Sequence, residues 1–239
     1  PRPLSGLRVV DLTRVIAGPV GGRTLAAHGA TVMRIAAPGL PTFDWLDRDS
    51  GRGKLSAFAD IKTGDGRKAL ARLISTADIF VQGYRPQAVA AQGFAPADVA
   101  RLRPGIVQVS LSAYGHAGPW HMRRGFDSLV QTASGFNHAE GVAAGIEGPK
   151  ELPCQALDHA SGYFIAFGAM MARARQAREG GSWLVRVSLA QTGRWIWNLG
   201  REHDGLAALD PTFDDVQDLL QTSASPFGEI RAVRHAAVL

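Results

Sequence analysis

The chain has 239 residues, is 46% hydrophobic and 20% charged, and carries 28 Gly, 13 Pro and a single cysteine, Cys154. That hydrophobicity with a net charge of only +5 excludes disorder. The Gly and Pro content excludes a collagen-like or low-complexity chain, and one cysteine excludes a disulfide framework or a Cys-based zinc site. The basic surplus is almost all arginine, with no Arg run and no interleaved aromatics, so it points to an anionic small ligand rather than to nucleic acid.

The first apolar run, Gly6 to Leu12, is rich in β-branched residues and reads as a buried strand. Gly18-Pro19 punctuates, and Gly21 to His28 reads as a helix closed by Gly29. Thr31 to Ile35 is a second strand, so the opening is a βαβ unit and implies a parallel sheet. Residues 36 to 56, with Pro38, Gly39, Pro41, Gly51 and Gly53, read as a long surface loop. A helix over Asp65 to Ser75 and a strand over Asp78 to Gln82 follow. Two short proline-opened helices, Pro86 to Gln92 and Pro96 to Leu102, lead to a fourth strand, Ile106 to Leu111. A Gly/Pro turn precedes a helix over Phe126 to Gly135, and residues 137 to 153 read as a Gly-rich loop.

Leu157 to Arg178 is the longest helix. Its most apolar part, Gly162 to Met171, is far short of the ~20 residues of a membrane span. Trp183 to Leu189 is a fifth strand, Gln191 to Leu199 a further helix, and the last forty residues are mixed. The alternation predicts an α/β fold: an open, mostly parallel, Rossmann-like sheet with helices on both faces. Residues 1–200 form this domain and 201–239 an extension packing on it or on a partner chain. The start, Pro1-Arg2-Pro3-Leu4, holds no apolar signal region, and the expected location is the cytoplasm.

The first βα turn, Thr13 to Gly22, is not G-x-G-x-x-G, which argues against a nicotinamide or flavin enzyme. No metal motif is present, and the seven histidines are scattered. Asp158, in Leu152-Pro153-Cys154-Gln155-Ala156-Leu157-Asp158-His159, opens the longest helix after a Gly-rich loop. Locally it reads first as a first-turn aspartate satisfying free amides, and only second as a nucleophile or base held at a helix N-terminus.

Several segments together go further. Pro3 to Pro19 resembles the N-terminal signature of the class III CoA-transferases, the CaiB/BaiF family. Further matching segments are His28 to Val32, Gly51-Arg52-Gly53-Lys54, Asp60-Ile61-Lys62, Gly83-Tyr84-Arg85-Pro86, Ser110 to Trp120 and Gly125-Phe126-Asp127. They keep family order over most of residues 3 to 200.

The resemblance implies an acyl-CoA:carboxylate CoA-transferase with no prosthetic group and with coenzyme A or acyl-CoA as substrate. Asp158 would attack the thioester, giving an aspartyl-acyl anhydride and then an aspartyl-CoA thioester that a carboxylic acid acceptor resolves. For CoA binding it points to Val15, Lys54, Tyr84, Arg124, Gly125, Phe126 and Asp127, with Lys54 and Arg124 meeting phosphates and Tyr84 against adenine. From the residues alone, Lys54 reads equally as a solvated loop charge and Tyr84 as a strand-end anchor.

Racemases of the family pair the aspartate with a histidine at the position of Phe126. Phenylalanine cannot carry a proton, so two-base racemisation would need His121, His138 or His159 instead. Ile16 stands where formyl-CoA enzymes have glutamine, against oxalate or formate as substrates. Family members are longer, with a second, smaller domain. The expectation is an interlocked homodimer, or pairing with a second half-chain; a noncatalytic CoA-binding half is the alternative.

Overall fold

The computed structural model describes residues 1–202, 204–235 and 237. Six parallel strands form one sheet: β1 (Arg8–Leu12), β2 (Thr31–Ala36), β3 (Lys54–Phe58), β4 (Ile79–Gln82), β5 (Val107–Ser112) and β6 (Trp183–Ser188). Their order is β3-β2-β1-β4-β5-β6. The chain builds outward from β1 to β3, returns to the other side of β1 at β4, and continues to β6. The direction therefore reverses between β1 and β4, the place where open parallel sheets carry ligands beyond the carboxyl ends of the strands.

Helices cover both faces of the central strands. Every residue of β4 and β5 is buried. One core lies between the sheet and helices α1 (Ala17–Ala27) and α8 (Ala156–Glu179), around Val9, Leu25, Val81, Val109 and Ile165. The other includes Leu70 and Ile74 of α3 (Gly64–Ile74) and Val99 of α5 (Pro96–Leu102), packed with Ile35 and Phe80. The short α4 (Pro86–Ala90) adds Val89 to this second core.

Helix α1 begins four residues before the sequence suggests. Pro19 sits in its first turn, where a missing N–H costs nothing because that amide would have no intrahelical partner. The helix is built of small residues for a reason: a Cβ on Gly21 would come within 2.7 Å of Ile165, and one on Gly162 within 2.7 Å of Val20 and 2.8 Å of the Ala17 carbonyl. The two helices thus pack nearly backbone to backbone where α1's first turns meet Gly162 and Ile165 of α8.

Two stretches read as loops are ordered elements. Residues 36 to 56 contain α2 (Asp44–Ser50) and the start of β3. Helix α2 is polar and is held by ion pairs, Arg34 to Asp47 at 2.9 Å and Arg23 to Asp49 at 2.6 Å. β3 is an edge strand with four of its five residues exposed, so it shows no buried-strand signature. Residues 137 to 153 contain most of α7 (Phe136–Ala143), which follows α6 (Asp127–Ala133) through Gly135 at φ +86°. Helix α9 (Leu189–Asn198) follows β6 directly.

Beyond residue 200 the mixed segment forms two short 3-10 turns and an antiparallel hairpin, β7 (Leu220–Ser225) with β8 (Gly228–Val233). Arg52 donates to the Val233 carbonyl at 3.0 Å and Arg48 lies 5.5 Å from the Phe227 ring, so the hairpin rests on α2 and the turn after it. Among the described residues, no helix is long and apolar enough to cross a membrane.

Candidate active site

Asp158 is the third residue of α8 and is 6% exposed. Helix α8 has no side-chain cap of its own at Gln155. The cap comes from elsewhere: Asp127, first residue of α6, accepts the Asp158 backbone N–H on Oδ2 at 2.7 Å. Gln131, one turn further along α6, donates to Asp127 Oδ1 and to the Cys154 carbonyl, and accepts the Leu152 N–H at 3.1 Å. Two side chains of one helix thereby fix the loop that delivers Asp158.

The Asp158 carboxylate itself receives no hydrogen bond and no cation from any described residue. Burial, then the neighbouring Asp127 charge, push it up from the ordinary carboxyl value to about 7. Burial likewise raises Asp127, against the bonds from the Asp158 amide and Gln131. His159 is kept below its usual value by burial and then Arg23. An oxygen anion that is short of solvation and close to neutral pKa is a group prepared either to attack an acyl carbon or to move a proton.

Val15 precedes α1, whose first turn packs against Gly162 of α8, and it is the one described non-glycine residue with positive φ, +70°. A β-branched residue pays a strain penalty there. The turn is held by Thr13, whose hydroxyl donates to Asp11, and Gly18 is required because a Cβ would lie 2.3 Å from Thr13.

Val15 lines a cleft with Arg14, Arg34, Leu40, Phe43 and Asp47, beyond the carboxyl ends of β1 and β2. Tyr84, just after β4, belongs to the same neighbourhood. Burial raises its hydroxyl pKa while Arg14 and Arg34 oppose the rise. Val15 and Tyr84 therefore flank the reversal between β1 and β4.

Lys54 is elsewhere than a solvated loop or a phosphate surface. It is the first residue of β3, its side chain is 1% exposed, and its ammonium bonds Asp11 Oδ2 and the Pro19 carbonyl, both at 2.8 Å. The expectation of a surface cation meeting phosphate is corrected by this geometry: the charge neutralises the completely buried Asp11.

Arg124 and Phe126 are exposed in the turn before α6. Between them Gly125 packs so closely that a Cβ would be 2.7 Å from Ala113. Of the three histidines considered as second bases, His121 bonds the Gly118 carbonyl at 2.7 Å and His138 is exposed. His159 adjoins Asp158 in the chain.

The structure thus joins Asp127 to Asp158, puts Val15 and Tyr84 on either side of the sheet reversal, and leaves Lys54 inside. Sequence reasoning missed Arg14, Arg34 and Gln131. The first two could have been found as the basic residues nearest the ends of β1 and β2; Gln131 gives no local signal. Among the described residues, no three His, Cys, Asp or Glu side chains are grouped to hold a metal.

Comparison with known proteins agrees on one lineage. The family model of CoA-transferase family III matches residues 4–200. The acetyl-coenzyme A transferase nodX of Hypoxylon pulicicidum is 35% identical over 199 residues, covering 82% of this chain and 34% of the relative. The human succinyl-CoA:glutarate CoA-transferase is 33% identical, covering 72% of this chain and 41% of the relative. The crystal structure of Rv3272 from Mycobacterium tuberculosis superposes with a TM-score of 0.73 at 29% identity, covering 84% of this chain and 60% of that one. The chain therefore spans less than two thirds of the length of each of these relatives.

Proposed function

The chain belongs to CoA-transferase family III, and on that premise we propose that it carries the nucleophile and the CoA-binding part of an acyl-CoA:carboxylate CoA-transferase, with Asp158 as the attacking group. The observation that carries this reading is the buried, unpaired Asp158 carboxylate at the start of α8. A carboxylate without solvation is a stronger nucleophile than one in water.

Its oxygen attacks the thioester carbonyl, the C–S bond breaks, and CoA leaves as thiolate from an aspartyl-acyl anhydride. The thiolate then attacks the Asp158 carbonyl carbon, expelling the first acyl group as its carboxylate and leaving an aspartyl-CoA thioester. The acceptor carboxylate attacks that thioester, forming a second anhydride and releasing thiolate. Attack of the thiolate on the acceptor's acyl carbon gives the new acyl-CoA and restores Asp158. No energy source besides the thioester is consumed.

In the same reading, Arg14 and Arg34 meet CoA phosphates near Val15, Tyr84 lies against the adenine, and Arg124 adds a cation from the turn before α6. Asp127 acts as a positioning residue through the α8 amide. The whole enzyme acts as a dimer or with a second chain, in the cytoplasm; residues 201–239 are an extension that packs on this domain or on a partner chain. The relatives' names, acetyl-CoA in one and succinyl-CoA with glutarate in the other, support small acyl and carboxylate substrates.

The test is intact mass after incubation with acetyl-CoA or succinyl-CoA and then hydroxylamine or borohydride. Wild type gains a stable adduct mapping to Asp158, and Asp158→Ala gains none. A wild type that binds CoA yet never forms the adduct overturns the covalent reading. One observation favours a second: a carboxyl group near pKa 7 suits proton abstraction at neutral pH. Wash-out of an α-deuteron from a branched acyl-CoA, without any adduct, would select that chemistry.

A further inference from the structure

A larger cleft opens at the β6 edge of the sheet, and neither Asp158, Val15 nor Tyr84 lines it. Its lining includes Val185, Arg186 and Ser188 of β6, Tyr114 and His116 from the turn after β5, Phe164 of α8 and Trp195 of α9. None of the lining residues is acidic.

Hydrogen bonding orients the His116 ring. The Tyr84 backbone N–H, which can only donate, bonds Gln82 Oε1 at 3.0 Å, so the Gln82 Nε2 faces Ser110 and donates to its hydroxyl. Ser110 Oγ lies 2.9 Å from His116 Nε2. Among the described residues, that ring nitrogen is the acceptor left for the Ser110 proton. With Nε2 accepting the Ser110 proton, a neutral His116 carries its own proton on Nδ1. Burial and then the nearby Arg186 charge favour this neutral form.

No described residue takes a hydrogen bond from Nδ1, and none pairs with the Arg186 guanidinium. Two unused donors, one cationic and one neutral, thus share a cleft with three aromatic rings. Phe164 and Trp195 meet edge to face at 4.9 Å, and Tyr114 is steadied the same way by Trp120 at 5.2 Å. A single guanidinium with one neutral N–H matches a monoanion and, by its fork, a planar one. The aromatic walls match a ring.

We propose that this cleft is a second small-molecule site that takes an aryl-substituted carboxylate, its carboxylate held between Arg186 and His116 and its ring among Tyr114, Phe164 and Trp195. The inference stands apart from the transfer reading and does not need Asp158.

The experiment is titration of phenylacetate into the full chain, followed by NMR or calorimetry. Saturable binding is expected, about tenfold or more weaker in Arg186→Gln. A similar loss is expected in Trp195→Ala, whose side chain is half exposed and whose removal leaves both cores intact. Acetate, which lacks the ring, and 2-phenylethanol, which lacks the charge, should each bind at least about tenfold more weakly than phenylacetate. Asp158→Asn should bind phenylacetate like the wild type. Equal affinity in Arg186→Gln, loss of binding in Asp158→Asn, or no saturable binding to the wild type would each overturn the proposal.

Discussion

Two buried carboxylates sit within the same α/β layer and are treated in opposite ways. Asp11, at the centre of the sheet, is completely buried and matched: Lys54 supplies a cation at 2.8 Å and Thr13 a hydroxyl. Asp158, nearly as buried, has another carboxylate as its neighbour, and its only link to it is through its own backbone amide. Burying a charge is costly unless it is paired, so the first arrangement holds the fold together and the second holds a group in an unfavourable state. The contrast separates a carboxylate kept for architecture from one kept for chemistry, although both lie close to α1.

Breaking the matched pair should have the largest effect. Lys54→Met leaves Asp11 charged, buried and unpaired, and should destabilise by about 3–5 kcal/mol, read from chemical denaturation at neutral pH. If Lys54 were instead a solvated ligand contact, stability would hardly change.

The mismatched site should respond in the opposite direction. With a folded-state value of about 7 against an ordinary 3.8, the native protein holds a proton that the unfolded chain has lost between those pH values. Stability from Asp158 is therefore complete below about pH 4 and is lost as pH rises to 7. At ~1.4 kcal/mol per pKa unit, Asp158→Asn should gain up to about 4 kcal/mol at pH 8 relative to wild type and nothing at pH 4. Urea denaturation across that range checks it; equal pH slopes in the two proteins would count against a strained carboxylate.

The legibility of each region follows from the range of its interactions. β4 and β5 were readable because Ile79-Phe80-Val81 is a short apolar run and Val107, Val109 and Leu111 alternate along β5. β3 was not, because an edge strand with exposed residues carries no such run, and α2 was not, because it is held by ion pairs to Arg23 and Arg34 rather than by an apolar stripe. Asp158 was visible as a helix-opening acid, and the family resemblance raised it above a simple first-turn residue. Its missing partners were invisible, as was the burial of Lys54, whose carboxylate lies 43 positions away. Contacts of that separation are properties of the fold and leave no local trace.

Crowding the matched pair gives a smaller test. A Cβ on Gly22 would lie 2.3 Å from Asp11 Oδ2 and 2.8 Å from Lys54 Nζ, so Gly22→Ala should cost about 1–3 kcal/mol by overpacking. The same denaturation assay reads it, and no loss would mean that the pair can separate freely.

The smallest pH-dependent effect sharpens the mismatched side. Asp127→Asn keeps an oxygen to accept the Asp158 amide and removes the like charge, but turns its amide nitrogen toward Gln131 Nε2, so it also loses that hydrogen bond at about 1–3 kcal/mol at every pH. It also removes a favourable negative charge from the α8 N-terminus, a loss of less than about 1 kcal/mol. Burial is the larger cause of the Asp158 shift and the Asp127 charge the smaller. The Asp158 value should therefore move down while staying above the ordinary range. The pH midpoint of the stability decline, and the acid limb of any transfer activity, should both shift to lower pH. A merely structural cap would change stability at every pH alike. An unmoved midpoint would leave burial as the whole cause and reduce Asp127 to a cap.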